Sequence, residues 1–265
     1  MTLTQTFADR LLAAQQDRQP IEPLTTSHPE LTLDDAYAIQ LAQVAAWTSA
    51  GRRVVGHKVG LTSRAMQELL GVDEPDYGHL LDDMVHPDAG SGAVLDPGRF
   101  LQPRIEPEIG FVLGAPLRGP GVTPEQAGAA VQSVVASLEV VDSRIADWRI
   151  GLFDTIADNA SSGAVVVGPD RVPLDGLDLP GITCELTRNG QVVGTGTGAA
   201  VMGDPLVVLA WLANTLGARG IPLEPGHLVI PGAVCAMVPV AAGDTVTATF
   251  TGLGSVTARF EADHG

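Results

Sequence analysis

Two glutamates stand two residues apart in Arg104-Ile105-Glu106-Pro107-Glu108-Ile109-Gly110, a segment that leads into an apolar stretch. In a β-strand the side chains at i and i+2 project to the same face, so this spacing points Glu106 and Glu108 together. Neighbouring carboxylates repel, and such a pair is tolerated when it is solvated, when one member holds a proton, or when a cation neutralises it. On spacing alone, a solvated pair at the start of a strand is the plainer reading. Glu139 is harder to place at the surface, because it sits within Val134-Val135-Ala136-Ser137-Leu138-Glu139-Val140-Val141. A buried carboxylate without a partner costs several kcal/mol or takes up a proton. A magnesium or manganese ion held by Glu106, Glu108 and Glu139 would compensate it, since hard divalent ions take oxygen ligands and leave positions open for a substrate. The rival reading pairs a buried Glu139 with an arginine, either Arg104 or Arg144.

A third patch is Gly56-His57-Lys58-Val59-Gly60-Leu61-Thr62-Ser63. A lysine inside an apolar, glycine-flanked strand is out of place unless its amine meets an anion. The alternative is a lysine that snorkels to the surface. The polar stretch Ala157-Asp158-Asn159-Ala160-Ser161-Ser162-Gly163 and the segment Asp76-Tyr77-Gly78-His79 are further candidates, although both composition patterns also suit ordinary turns.

The elements that position these residues fall in a clear order. Residues 2–18 carry Leu3, Phe7, Leu11 and Leu12 at near-helical spacing, and Thr32 with Asp35 predicts a capped helix that runs to about Ala50 with Gly51 behind it. A short helix is expected over residues 64–70, after Ser63 and before Gly71, and another is signalled by Thr123, Pro124 and Gln126. Residues 54–59, 109–113, 134–141 and 164–167 read as interior strands. Arg188-Asn189-Gly190 and Gly252-Leu253-Gly254 predict hairpins, with a helix between them that starts at Asp204-Pro205 and ends before Gly220. The fold class is therefore α+β, with an α-helical N-terminal region over residues 1–52 packed on a β-rich domain over residues 53–265, the part that would be the metal-binding catalytic domain if the carboxylates hold an ion.

Bulk properties restrict the partners. The chain has 265 residues, 45% of them hydrophobic, enough for one large core. A net charge of −16 argues against nucleic acid, which requires a basic footprint. No basic, apolar, small-residue leader and no uninterrupted apolar run of about 18 residues is evident, so no membrane partner and a cytoplasmic location are expected. Cys184 and Cys235 lie apart from any CxxC or Cys/His cluster and read as reduced structural thiols.

Taken together, the patches resemble the 2-keto-4-pentenoate hydratase and 4-oxalocrotonate decarboxylase group of the fumarylacetoacetate hydrolase superfamily. The matching stretches are Gly60-Leu61-Thr62-Ser63, Gly71-Val72-Asp73-Glu74-Pro75-Asp76-Tyr77-Gly78, Gln102-Pro103-Arg104-Ile105-Glu106-Pro107-Glu108, Leu138-Glu139-Val140-Val141-Asp142-Ser143-Arg144 and Ala157-Asp158-Asn159-Ala160-Ser161-Ser162, in the family's order. The resemblance implies a mixed β-sheet core of the superfamily's C-terminal-domain type and a magnesium or manganese ion on Glu106, Glu108 and Glu139. It also implies Lys58 and Asp76 as catalytic residues, and Ser161, Leu70 and Arg104 as substrate-binding residues. At Ile230-Pro231-Gly232-Ala233 many relatives carry a threonine where this chain has Pro231, so one hydroxyl contact is missing from that loop.

The implied substrate is a small 2-keto or 2-hydroxy-dienoic acid, in the meta-cleavage degradation of aromatic compounds. The implied reaction is addition of water, with decarboxylation of 4-oxalocrotonate as the alternative. A carbon–carbon hydrolase would need a histidine with a carboxylate partner, for which His79 and His86 are the nearest candidates. A non-catalytic partner subunit is a further alternative. The resemblance also implies a homo-oligomer and a possible complex with a pathway decarboxylase or hydratase.

Overall fold

A computed structural model describes residues 2–63, 67–68, 72 and 74–262. The helix expected over residues 64–70 falls largely outside these, as does Leu70. The N-terminal region forms α1 (Leu3–Asp17), α2 (Leu24–Ser27) and α3 (Leu33–Ser49). Thr2 caps α1 by accepting from the Gln5 amide, and Thr32 and Asp35 close a reciprocal capping box on α3. Such a cap contributes about 1 kcal/mol and fixes where the chain turns into the helix. Phe7, Leu11, Leu24, Tyr37 and Ile39 carry these helices into the main core.

The body contains two sheets. In chain order the strands are β1 (Val54–Gly60), β2 (Asp76–Leu81), β3 (Val85–Pro87), β4 (Ala93–Leu95), β5 (Arg104–Leu113), β6 (Val131–Val141), β7 (Ser162–Val167), β8 (Thr183–Arg188), β9 (Gln191–Thr197), β10 (Leu228–Ile230), β11 (Val238–Pro239), β12 (Thr245–Phe250) and β13 (Gly254–Phe260). The helices between them are α4 (Pro124–Ala129), α5 (Leu152–Ala157) and α6 (Pro205–Ala218). The first sheet runs β2-β1-β10-β5-β6-β7-β3, with β11 also paired to β5. It is mixed, because β1–β10 and β3–β7 are parallel and the other pairs antiparallel. The second runs β4-β13-β12-β8-β9. Both expected hairpins form, and Asn189 and Gly190 take the positive φ values of 53° and 77° that a tight turn between twisted strands needs.

Period-2 alternation divides β5 and β6 between two environments. Ile105, Ile109, Phe111 and Leu113 of β5, with Val134, Ala136, Leu138 and Val140 of β6, join the core shared with Val246, Ala248, Val256 and Ala258 of the second sheet. The opposite, inner face carries a smaller apolar cluster of Leu80, Val135, Val165, Val167, Leu228 and Ile230. The sheet is rolled around this face. Asn159, just before β7, exchanges two hydrogen bonds with the backbone of His79 on β2. In a flat sheet those strands would lie about 24 Å apart, five spacings of about 4.8 Å. The segment Gly198–Ala218 is long and apolar enough by composition to cross a bilayer. Within it, α6 buries Val208, Leu209, Leu212, Ala213 and Leu216 in the protein core.

Candidate active site

The register of β5 on β6 creates the acidic centre. Glu106 stands directly opposite Glu139, and Glu108 is opposite Ser137, one same-face step along. Each glutamate offers a carboxylate oxygen, and these oxygens lie within 4.8 Å of one another. Glu108 and Glu139 are buried and Glu106 is partly so, which overturns the solvated pair at a strand start. Burial pushes all three carboxyls above their ordinary range, Glu106 to about 7. The Glu139 charge raises Glu106 and Glu108 further, while Lys58 opposes the shift in all three. The Gly232 amide donates to Glu108 Oε2 at 2.6 Å, yet among the described residues Glu108 Oε1 and both Glu139 oxygens have no hydrogen-bond partner. Buried carboxylate oxygens that converge without donors suit a hard divalent cation, and these residues fit one.

The arginine reading of Glu139 is also corrected. Arg144 is committed to Asp158, while the Arg104 guanidinium stacks over the Trp148 ring at 4.7 Å and approaches Met237 Sδ at 4.0 Å. The partner of Glu139 is instead Lys58, with Nζ 3.4 Å from Glu139 Oε2. That contact is an ion pair without hydrogen-bond alignment, and the amine donates its bond to the Ala160 carbonyl at 2.9 Å. Lys58 is 4% exposed, so it does not snorkel. Burial alone would lower its proton affinity, but the carboxylates of Glu139, Asp76, Glu106 and Glu108 outweigh burial and raise it.

Asp76 enters from β2, where it pairs with Gly60 of β1, while Lys58 pairs with Gly78. A Cβ at position 60 would lie 2.3 Å from Asp76 Oδ1 and 3.5 Å from Lys58 Nζ, so only glycine leaves room for the carboxyl beside the ammonium. Asp76 is buried, its Oδ1 has no hydrogen-bond partner among the described residues, and burial raises its pKa against the pull of Lys58. Gly232, next to Pro231, has φ 123° and packs against Thr62, where a Cβ would fall 1.9 Å from Thr62 Oγ1. The loop carrying Pro231 thus acts on the acidic centre through the Gly232 amide.

The stretch after α5 is more than an ordinary turn. Asn159, Ala160 and Ser161 all take positive φ, at 52°, 51° and 54°. Such conformations cost about 1 to 2 kcal/mol per residue for side chains other than glycine, somewhat less for Asn. Ser161 is buried, with Oγ 3.4 Å from Thr155 Oγ1. The structure thus brings Lys58 and Asp76 together beside the three glutamates, which share the inner face of the roll with the apolar cluster.

Several residues were not legible as site components. Gln40 of α3 donates to the carbonyls of Tyr77 and Ile156 and meets His79 Nδ1 at 3.1 Å, and Gln43 donates to Ala157. The N-terminal helices therefore brace both β2 and α5. His79 has this glutamine at Nδ1 and no carboxylate ring partner among the described residues, which gives no hydrolytic dyad there. His86 Nε2 has no hydrogen-bond partner among the described residues.

With this geometry in place, comparison with known proteins is decisive. The family described as fumarylacetoacetate (FAA) hydrolase C-terminal matches residues 60–261. The chain belongs to this family. Within the family it falls in the 2-keto-4-pentenoate hydratase and 4-oxalocrotonate decarboxylase group. It is 43% identical to a 2-hydroxyhexa-2,4-dienoate hydratase of Comamonas testosteroni, over 97% of both chains. It is 46% identical to a 2-keto-4-pentenoate hydratase of Paraburkholderia xenovorans (strain LB400), over 97% of this chain and 94% of that one. Among solved family structures, 4-oxalocrotonate decarboxylase from Pseudomonas putida G7, complexed with magnesium and adipate, superposes with a TM-score of 0.93 at 38% identity, covering 97% of each chain. The family fold is thus the mixed-sheet, helix-decorated α+β architecture expected from the sequence.

Proposed function

We propose that this chain is a divalent-metal-dependent hydratase that adds water to 2-hydroxypenta-2,4-dienoate (2-keto-4-pentenoate) or a close analogue, giving a 4-hydroxy-2-ketoacid. The observation that carries the reading is the convergence of the three glutamates with Lys58 on one closed face, in a chain related over its whole length to hydratases of such acids. Glu106, Glu108 and Glu139 would hold magnesium or manganese, which would supply a Lewis-acid centre for the oxygens of a 2-keto acid. Lys58 offers a buried ammonium to the substrate carboxylate. Asp76, whose proton affinity is raised, is placed to exchange a proton with the substrate. Moving the enol proton off O2 and delivering a proton to C5 gives an α,β-unsaturated ketone. Water then adds its hydroxyl at C4 and a proton at C3, so no co-reactant other than water is consumed. The Ser161 hydroxyl and Arg104, on the same face of β5 as Glu106, would contact the substrate.

A second reading is decarboxylation of 4-oxalocrotonate, favoured by the backbone match to a decarboxylase crystallised with a dicarboxylate. The same keto group would accept the electron pair left by carbon dioxide. Product analysis separates the two: the dienoate should lose its ultraviolet absorbance and yield the hydroxy-ketoacid, whereas carbon dioxide from 2-oxo-3-hexenedioate with an inert dienoate would establish the second.

A further inference from the structure

We infer that the buried Arg144–Asp158 ion pair is the positioning device of Lys58, acting through the left-handed turn at residues 159–161; the inference rests on the proposed role of Lys58 at the substrate. Every carbonyl of that turn has an assigned donor. The Asn159 carbonyl accepts from the Ser162 amide, the Ser161 carbonyl from the Asp142 amide, and the Ala160 carbonyl from Lys58 Nζ. The turn is therefore the surface on which the ammonium rests.

Three successive non-glycine residues do not hold positive φ by their own preference. The Arg144 guanidinium supplies the constraint, because it donates to the carbonyls of Asp158 and Ser162, the residues on either side of the turn, and to that of Asp142. Asp158 in turn accepts from Arg144 Nε, the Arg144 amide and Ser143 Oγ, so the clamp is tied back to the end of β6. Both side chains of the pair are shut off from solvent. Neither has a hydrogen bond to the three glutamates; the turn they flank meets Lys58 at the Ala160 carbonyl and is also held at Asn159 by two bonds to the His79 backbone. Relaxation of the turn would move that carbonyl and swing the ammonium away from Glu139 and the substrate.

The test is a double-mutant cycle read as kcat/KM on 2-hydroxypenta-2,4-dienoate, in saturating magnesium, with Asp158→Asn, Lys58→Ala and the double variant. Asp158→Asn should lower kcat/KM about tenfold, since small misplacement of a catalytic group is costly, and should add less than about twofold to the defect of Lys58→Ala. Manganese affinity of Asp158→Asn should not fall below the wild-type level, since withdrawing the ammonium from Glu139 does not weaken a cation site, whereas a general collapse of the site would lower it. Defects that multiply in the double variant, or wild-type turnover in Asp158→Asn, would overturn the inference. If Asp158→Asn does not fold, Ser143→Ala, which removes one bond to Asp158, is read by the same criteria. Wild-type turnover in Lys58→Ala would sink the reading of the site and this inference with it, whereas a full Lys58→Ala defect with multiplying effects would sink this inference alone.

Discussion

Lys58 Nζ and Glu139 Oε2 lie 3.4 Å apart with both side chains closed to solvent, and this ammonium faces three further carboxyls, those of Asp76, Glu106 and Glu108. Lys58, with Arg104 acting on Glu106 alone, does not balance four acids, three of them buried and Glu106 partly so. Without metal, burial and mutual repulsion raise the proton affinity of Glu106, Glu108, Glu139 and Asp76, so the centre favours proton uptake. Metal binding would displace those protons, so it should be tighter at higher pH.

The first prediction follows from that imbalance. Exhaustive chelation should abolish turnover, and magnesium or manganese should restore it. Saturating metal should also raise the melting temperature, by mass action on the folded state alone. Full activity at negligible metal content, or a melting point indifferent to metal, would remove the three glutamates from the mechanism.

Lys58→Ala should reduce kcat/KM roughly ten- to hundredfold, from loss of a charge-assisted bond of about 1.5 to 3 kcal/mol to the substrate carboxylate. Its structural effect should depend on metal. With metal bound, Glu139 keeps a cation and folding should be close to wild type. In the metal-free protein, Glu139 loses its buried partner, and stability should fall by about 3 kcal/mol or less, as proton uptake relieves part of the cost. Urea unfolding with and without magnesium reads the difference, and equal losses in both would argue against the ion pair.

The sequence made some of this legible and hid the rest for physical reasons. Strand alternation is local, so the shared face of Glu106 and Glu108 could be read directly. Glu139 stood out as an acid in an apolar run. Its position opposite Glu106 could not be read, because register between β5 and β6 is set by the whole ladder. Arg144 looked available to Glu139, but its true partner, Asp158, belongs to a stretch that composition presents as a turn. The left-handed backbone at Ala160 likewise goes against local preference, and the carbonyls that flank its turn accept bonds from Arg144. The Thr32 and Asp204 helix starts were readable because caps are contacts between near neighbours.

A third prediction concerns acid stability. Burial lowers the pKa of His79 to about 4 and that of His57 well below its ordinary value, with His79 and His227 adding to the shift at His57. The folded protein therefore binds these protons less readily than the unfolded chain. Stability from neutral His79 is full above pH 6.5 and is lost as pH falls from 6.5 through about 4, by up to about 3 kcal/mol. The buried carboxyls have the opposite sign, so the comparison should use magnesium-loaded protein and the variant His79→Gln. That variant should show a flatter loss of stability over the same window. An unchanged slope would mean that folding does not shift the pKa of His79.

The last prediction tests the link between the loop at residues 230–233 and the acidic centre. Gly232 holds φ 123° and its amide donates to Glu108 Oε2 at 2.6 Å. Gly232→Ala meets two obstacles, a backbone region that side chains rarely adopt and a Cβ only 1.9 Å from Thr62 Oγ1. The loop must shift, and the amide moves with it. Loss of a hydrogen bond to a charged group costs about 1.5 to 3 kcal/mol, part of which should appear as weaker metal binding because Glu108 is no longer aimed at its neighbours. Manganese affinity should therefore fall roughly tenfold or more, within the range for loss of a metal ligand's hydrogen-bond partner. The double variant Thr62→Ser/Gly232→Ala removes the Thr62 methyl but keeps the hydroxyl against which the new Cβ clashes, so it should recover little. Thr62→Ala/Gly232→Ala removes the oxygen and should recover part of the metal affinity, leaving the backbone cost and a Cβ contact of 2.9 Å with the β-carbon of residue 62. Wild-type manganese affinity in Gly232→Ala would show that Glu108 does not depend on this amide for its placement.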